Sequence, residues 1–152
     1  MRKHKYTYSQ ITAFLYLLRF RNPKNIENYE KSIEALFGQG YCYYLAKIME
    51  IIFDDYNKEY EGCCLYYPED HFVFRYAGNS YDIYGIQVRK NHTCIPEWFL
   101  KKHYKNGVES WLHRGKYLYT HNKKKDPLTK RIDIKPIKKL WLKYKKENNI
   151  RQ

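Results

Sequence analysis

Long apolar runs are missing from this sequence. No segment approaches the roughly 20 uninterrupted apolar residues that cross a bilayer. The stretch Ile11 to Leu18 is short, and Arg19 and Arg21 follow it with no small-residue cleavage site. Neither a membrane partner nor secretion is expected, and a cytoplasmic location is. Cysteine is sparse: Cys42, Cys63, Cys64 and Cys94. In the cytoplasm they are expected to be reduced thiols, and the adjacent Cys63 and Cys64 would be strained if bridged to each other. No Cys-x-x-Cys pair occurs, so Cys63, Cys64, His92 and Cys94 make a poor zinc set, and no metal is expected. A glycine-rich phosphate loop and a dinucleotide fingerprint are also absent, and no cofactor is expected.

Acidic residues are outnumbered. Sixteen Asp and Glu face 29 Lys and Arg, for a formal net charge of +13. The excess is concentrated at one end. Residues 121–152 hold twelve Lys and Arg against three Asp and Glu, a net +9, which leaves +4 for the first 120 residues. Within that basic segment Lys123, Lys124, Lys125, Lys130 and Arg131 form a candidate surface for nucleic acid or an acidic protein partner. The alternative is a solubilising face.

What is abundant is aromatic. Aromatic residues make up 18% of the chain, tyrosine alone contributing 18 residues, and hydrophobic residues 43% of 152. That suffices to build a packed core, and residues 1–152 are expected to form a single domain. Ile11, Phe14, Leu15 and Leu18 recur at helical spacing, with Thr7 or Ser9 as cap. A second amphipathic helix is expected over Ile26 to Phe37, ended by Gly38-Gln39-Gly40. Tyr41 to Phe53 is apolar on nearly every face, with Lys47 and Glu50 on one strip, which predicts a buried central helix. Strands are expected over 62–67, 71–76 and 80–88, with turns at Pro68-Glu69-Asp70 and Ala77-Gly78-Asn79. Helices are expected over Glu97 to Tyr104, from Gly107 to His113, and after Pro136, where Ile137, Leu140, Trp141 and Tyr144 form a docking stripe. The fold class is therefore α+β: a central buried helix on a small antiparallel sheet, with extra N- and C-terminal helices.

Chemistry converges on Cys42. The string Gly38-Gln39-Gly40-Tyr41-Cys42 sets a thiol in the first turn of the buried helix. There the amides have no intrahelical partners and the helix dipole favours a thiolate. The same amides, with the Gln39 side chain, are candidate oxyanion donors. His71 opens a strand and titrates near neutrality. Asp82, in Tyr81-Asp82-Ile83-Tyr84-Gly85, is set among apolar neighbours and calls for a specific partner. One candidate partner is His71. Arg75 is another, because a tight hairpin turning at Gly78-Asn79 would set Asp82 opposite Arg75 and leave His71 about 13 Å away. In such a hairpin a Cys42–His71–Asp82 site requires a bulge, a wider turn or strong twist. Cys42 itself has the alternative reading of a small core hydrophobe.

The strings GQGYCYYLA around Cys42 and HFVFRYAGNSYDIYG, holding His71 and Asp82, resemble the papain-like cysteine-protease superfamily. They are most similar to its transglutaminase-like branch and to small phage or prophage proteins of that type. The resemblance spans about residues 36–88. It implies a papain-like or transglutaminase-like core and a thiol-dependent hydrolase or acyltransferase acting on a peptide or side-chain amide. Cys42 is then the nucleophile, His71 the general base and acid, Asp82 its orienter and Gln39 an oxyanion donor, with Tyr41, Tyr43 and Phe72 near the cleft. The rival expectation is a non-enzymatic basic binding protein, such as a phage-type inhibitor of a host defence system.

Overall fold

The computed structural model describes residues 3–20, 42–103 and 134–150. Helix α1 spans Tyr8–Phe20 and α2 spans Cys42–Ile52. Strands β1 (Gly62–Tyr67), β2 (Phe72–Tyr76), β3 (Asn79–Asp82), β4 (Gly85–Gln87) and β5 (Thr93–Pro96) follow. Helices α3 (Glu97–His103) and α4 (Ile134–Glu147) complete the described elements. The fold is α+β, with one five-stranded antiparallel sheet in the order β4-β3-β2-β1-β5. The helices expected over 26–37 and 107–113 lie outside the described residues.

Local chemistry explains the helix ends. Thr7 is the cap of α1: its amide donates to Gln10 Oε1 at 3.0 Å, and Thr7 Oγ1 accepts from the Gln10 amide at 3.2 Å. This reciprocal pair satisfies two donors that a helix start leaves open. All four expected apolar residues of α1 are buried. On α2, Tyr43, Tyr44, Leu45, Ala46, Ile48, Met49 and Ile52 are buried, while Ile51 is exposed. Lys47 and Glu50 pair at 2.7 Å. Glu50 Oε2 also accepts the Cys63 amide at 2.8 Å, which ties α2 to the start of β1.

The core is a lattice of rings between the helices and one sheet face. Phe14, Phe53, Tyr6 and Trp141 meet edge to face at 5.1–5.8 Å, a preferred aromatic geometry. These contacts dock α4 on α1 and on the end of α2. Ile137 and Trp141 of the expected stripe are buried, with Leu140 and Tyr144 partly so. Lys145 differs from the exposed lysines of this helix. It is buried, with its ammonium 5.7 Å from the Trp141 ring centre. Asp55, just past α2, accepts from Tyr76 Oη at 2.7 Å and from the Lys5 amide at 2.7 Å.

Strand β5 was not expected, and the strand expected over 80–88 is two strands. The chain reverses at Ile83-Tyr84, because Asp82 Oδ1 accepts the Tyr84 amide at 2.8 Å and Gly85 adopts φ +104°. An aspartate bonding its own backbone two residues on is a local turn-former. The sheet also curls. Ser80 on β3 and Cys94 on β5 lie three strand steps apart, roughly 14 Å in a flat sheet. Their Oγ and Sγ atoms are nevertheless 3.0 Å apart. The face away from the helices is therefore concave, with Cys64, Tyr66 and Val73 packed inside it.

Gly62 and Gly78 separate two reasons for glycine. Both have positive φ, +88° and +83°, but a Cβ at Gly78 meets nothing within 4 Å. At Gly62 it would stand 2.7 Å from Glu50 Oε2 and from the Tyr56 ring, and Glu50 is already held by Lys47 and Cys63. Gly78→Ala is expected to cost about 1–2 kcal/mol, the left-handed penalty alone. Gly62→Ala should cost at least about 2 kcal/mol more, from the added clash. Urea unfolding midpoints of the two variants measure the difference.

Candidate active site

Cys42 is the first residue of α2 and is partly exposed. The helix lies across β1 and β2, so its N-terminus meets the beginning of β2. There the Phe72 amide donates to Cys42 Sγ at 3.4 Å. The Tyr43 ring meets the Phe72 ring edge to face at 5.0 Å, fixing the residue after the thiol against the residue after His71. Tyr43 Oη donates to Glu97 Oε2 at 2.7 Å, and Lys47 lies 3.5 Å from the same carboxylate. Four links thus hold the first turns of α2 to the sheet and to α3.

His71 directly precedes β2, at the end of the sheet. Its Nε2 lies 3.0 Å from Asp82 Oδ2, and the Cys42 side chain is near enough to interact with its ring. With Nε2 committed to Asp82, Nδ1 is the ring nitrogen left for the sulfur. Asp82 is only 5% exposed, and the His71 side chain 19%. Each Asp82 oxygen is engaged: Oδ2 by His71, and Oδ1 by the Tyr84 amide at 2.8 Å and Gln87 Nε2 at 3.0 Å.

The hairpin resolves the competition between His71 and Arg75 for Asp82. The reversal is at Ala77-Gly78, with φ of 49° and 83°, not at Gly78-Asn79. Two consecutive positive φ values mark a two-residue turn whose twist matches the strands. The register is Arg75 with Ser80 and Phe74 with Tyr81. One step further sets Asp82 against Val73, two residues from His71. That is a diagonal cross-strand neighbour, within reach of long side chains. No bulge is needed. Arg75 Nη1 donates instead to Ser80 Oγ at 3.1 Å.

The electrostatics follow the geometry. Burial alone would discharge the His71 imidazole. The Asp82 hydrogen bond, together with the interaction with the nearby Cys42 side chain, outweighs it and pushes the pKa up to about 10. The other thiols of the sheet differ: burial pushes Cys63 and Cys64 well up, with Glu97 and Glu50 adding to it for Cys63 and Cys94 adding to it for Cys64.

Of the expected site residues, Cys42, His71 and Asp82 come together. Gln39 and Tyr41 lie outside the described residues, as do Lys123, Lys124, Lys125, Lys130 and Arg131. Gln87 was missed. Its signal was present in Asp82-x-x-Gly85, which as a turn folds β4 back along β3 and brings Gln87 opposite Ser80, beside Asp82. Among the described residues no group of three His, Cys, Asp or Glu side chains is arranged to hold a metal ion.

The family model described as phage YunG-like protein matches residues 20–122, about two thirds of the chain. The chain belongs to the phage YunG-like family. No curated protein and no solved structure matches it. The YunG-like segment contains Cys42, His71, Asp82 and Gln87, while α4 follows it and α1 precedes all but its first residue. The family description names a phage protein and no chemistry. No helix among the described residues is long and apolar enough to cross a membrane.

The elevated pKa of His71 sets a pH dependence. In the unfolded chain the imidazole titrates near 6.5 and in the fold near 10. The stabilisation is therefore complete below about pH 6.5, declines as pH rises from there, and is gone above about pH 10. Asp82→Asn removes the largest favourable contributor. Its stability deficit relative to the native chain should be widest near pH 5–6.5 and shrink steadily toward pH 10. Urea titrations across that range measure it, and a deficit independent of pH would show that Asp82 does not hold a charged His71.

Proposed function

We propose that this YunG-like protein is a thiol-dependent hydrolase or acyltransferase with a Cys42–His71–Asp82 triad, built on a papain-like or transglutaminase-like core. The observation that carries the reading is His71 bonded to a buried carboxylate and set beside a helix-terminal thiol, whose sulfur accepts from the amide of Phe72, the residue after His71. A nucleophile, a base and a group that orients the base within hydrogen-bond reach form the minimum set for covalent acyl chemistry. With Nε2 on the acid, Nδ1 is the ring nitrogen that would exchange a proton with Cys42.

The chemistry runs as follows. His71 takes the Cys42 thiol proton, and the sulfur attacks the carbonyl carbon of a peptide bond or side-chain amide. The C–S bond forms, and charge collects on the carbonyl oxygen. The first turn of α2 supplies the amide donors for that oxyanion, with Gln39 as an added side-chain donor. The C–N bond then breaks as His71 protonates the leaving amine. Water resolves the thioester in hydrolysis, and a second amine does so in acyl transfer, His71 taking the proton of the attacking group. Tyr43 and Phe72 pack together beside Cys42. The chemistry needs no cofactor, and it needs a reducing compartment such as the cytoplasm, in keeping with four free cysteines.

A second reading concerns the partner. Helix α4 leaves Lys138, Lys139, Lys143 and Lys146 in solvent, with Glu147 as its one acidic residue. With the basic sequence of residues 121–131, which lies outside the described residues, these lysines suit nucleic acid or an acidic protein, either as a docking surface for the enzyme or as the whole function of a phage-type inhibitor. Such binding would weaken with salt and survive Cys42→Ala.

Iodoacetamide discriminates the two. Cys42 is expected to be alkylated well before the buried Cys63 and Cys64, faster than glutathione at neutral pH, and His71→Ala should slow it by about tenfold or more. Peptide mapping by mass spectrometry reads the sites. Alkylation of Cys42 no faster than glutathione, or unchanged in His71→Ala, would remove the enzymatic reading and leave the basic binding protein.

A further inference from the structure

The concave face of the sheet holds a cavity of about 510 Å³, a size typical of small-molecule sites. It is separate from the Cys42 end of α2. Arg75, Ser80, Gln87, Arg89, Tyr66 and His92 are among its lining residues. The lining includes two arginines and no Asp or Glu.

The two arginines are not equivalent. Arg89 pairs with Glu69, which also lies 2.8 Å from His92 Nε2. Arg75 is half-buried on β2, and its one side-chain hydrogen bond among the described residues is Nη1 donating to Ser80 Oγ at 3.1 Å. No carboxylate of the described residues stands within ion-pair distance of it. The carboxylates near it along the strands are engaged elsewhere: Glu61, beside its β1 partner Gly62, by His4, Asn57 and Ala77, and Asp82 by His71, Tyr84 and Gln87. A guanidinium has five donors in a planar fork, and a partly buried charge without a partner is costly. The Ser80 hydroxyl fixes one of its nitrogens, so the rest of the fork is presented to the cavity in a set orientation. The ring of Tyr66 is held in the wall, because its hydroxyl accepts the Arg89 amide at 3.1 Å and donates to Gln87 O at 3.4 Å.

We propose that this cavity binds a small ligand through an oxyanion, a carboxylate or a phosphate, received by the Arg75 guanidinium. A planar fork matches both groups bidentately. The site stands apart from the catalytic reading and does not depend on Cys42, though Gln87 belongs to both: it lines the cavity and donates to Asp82.

Isothermal titration of the full chain with inorganic phosphate, N-acetylglycine and the neutral N-acetylglycinamide tests this. Saturable binding of phosphate or N-acetylglycine is expected, the tighter of the two naming the group, with no binding of the amide. Arg75→Gln should weaken it about tenfold or more. Val88→Glu sets a negative charge at the rim on an exposed residue that packs against nothing essential. It should also weaken the anions, and it keeps the test decisive if Arg75→Gln does not fold. No saturable anion binding up to about 10 mM, equal binding of the neutral amide, or anion binding unchanged in the folded variants would overturn the proposal.

Discussion

The placement of Asp82 is the constraint on which the site depends. A buried carboxylate must be fully hydrogen-bonded to be tolerated, and here three donors from three places meet it. The Tyr84 amide comes from its own turn, Gln87 from the strand that the turn returns, and His71 from the neighbouring hairpin. Shifting the β2–β3 register by two residues toward Arg75 would separate His71 from Asp82. The turn at Ala77-Gly78 is therefore as much a part of the site as the three side chains.

The other half of the site is the anchoring of α2. A thiol at a helix start is useful only where the helix is fixed relative to the base. Tyr43 and Lys47 reach Glu97, Glu50 reaches the Cys63 amide, and the Phe72 amide reaches the sulfur itself. Burial pushes the Tyr43 hydroxyl well up, with Cys63 and Glu97 adding to it, so it stays a donor at any working pH. The aromatic lattice of Phe14, Phe53 and Trp141 supports the far end of the same helix. Stability and site geometry are carried by the same contacts.

Much of this was legible in the residues. The stripe of α1, the near-continuous burial of α2, β1, β2 and α3 within a residue or two, and the docking face of α4 follow from period and burial alone. The class of each chemical residue was legible too, since a helix-terminal cysteine, a strand-terminal histidine and an aspartate among apolar neighbours each ask for a partner. The register was not. Gly78 and Asn79 are both strong turn residues, and nothing in Ala77 announces a φ of 49°. The division of 80–88 depended on Asp82 acting as its own turn-former, and a single apolar-flanked aspartate reads equally well as a strand residue. Strand β5 is four residues of Thr-Cys-Ile-Pro, too short for a period of two to show. The curl that brings Ser80 to Cys94 is a property of the whole sheet and has no local signature.

Family membership places the chain among phage proteins and leaves its chemistry to be read from the site. The measurement that bears on it most directly is an NMR titration of the His71 imidazole, with Cys42→Ala and Asp82→Asn beside the native chain. The expected result is a ring still protonated well above neutrality, titrating near 10, whose pKa falls in both variants. A ring that titrates near 6.5 in all three proteins would show that His71 joins neither the sulfur nor the carboxylate.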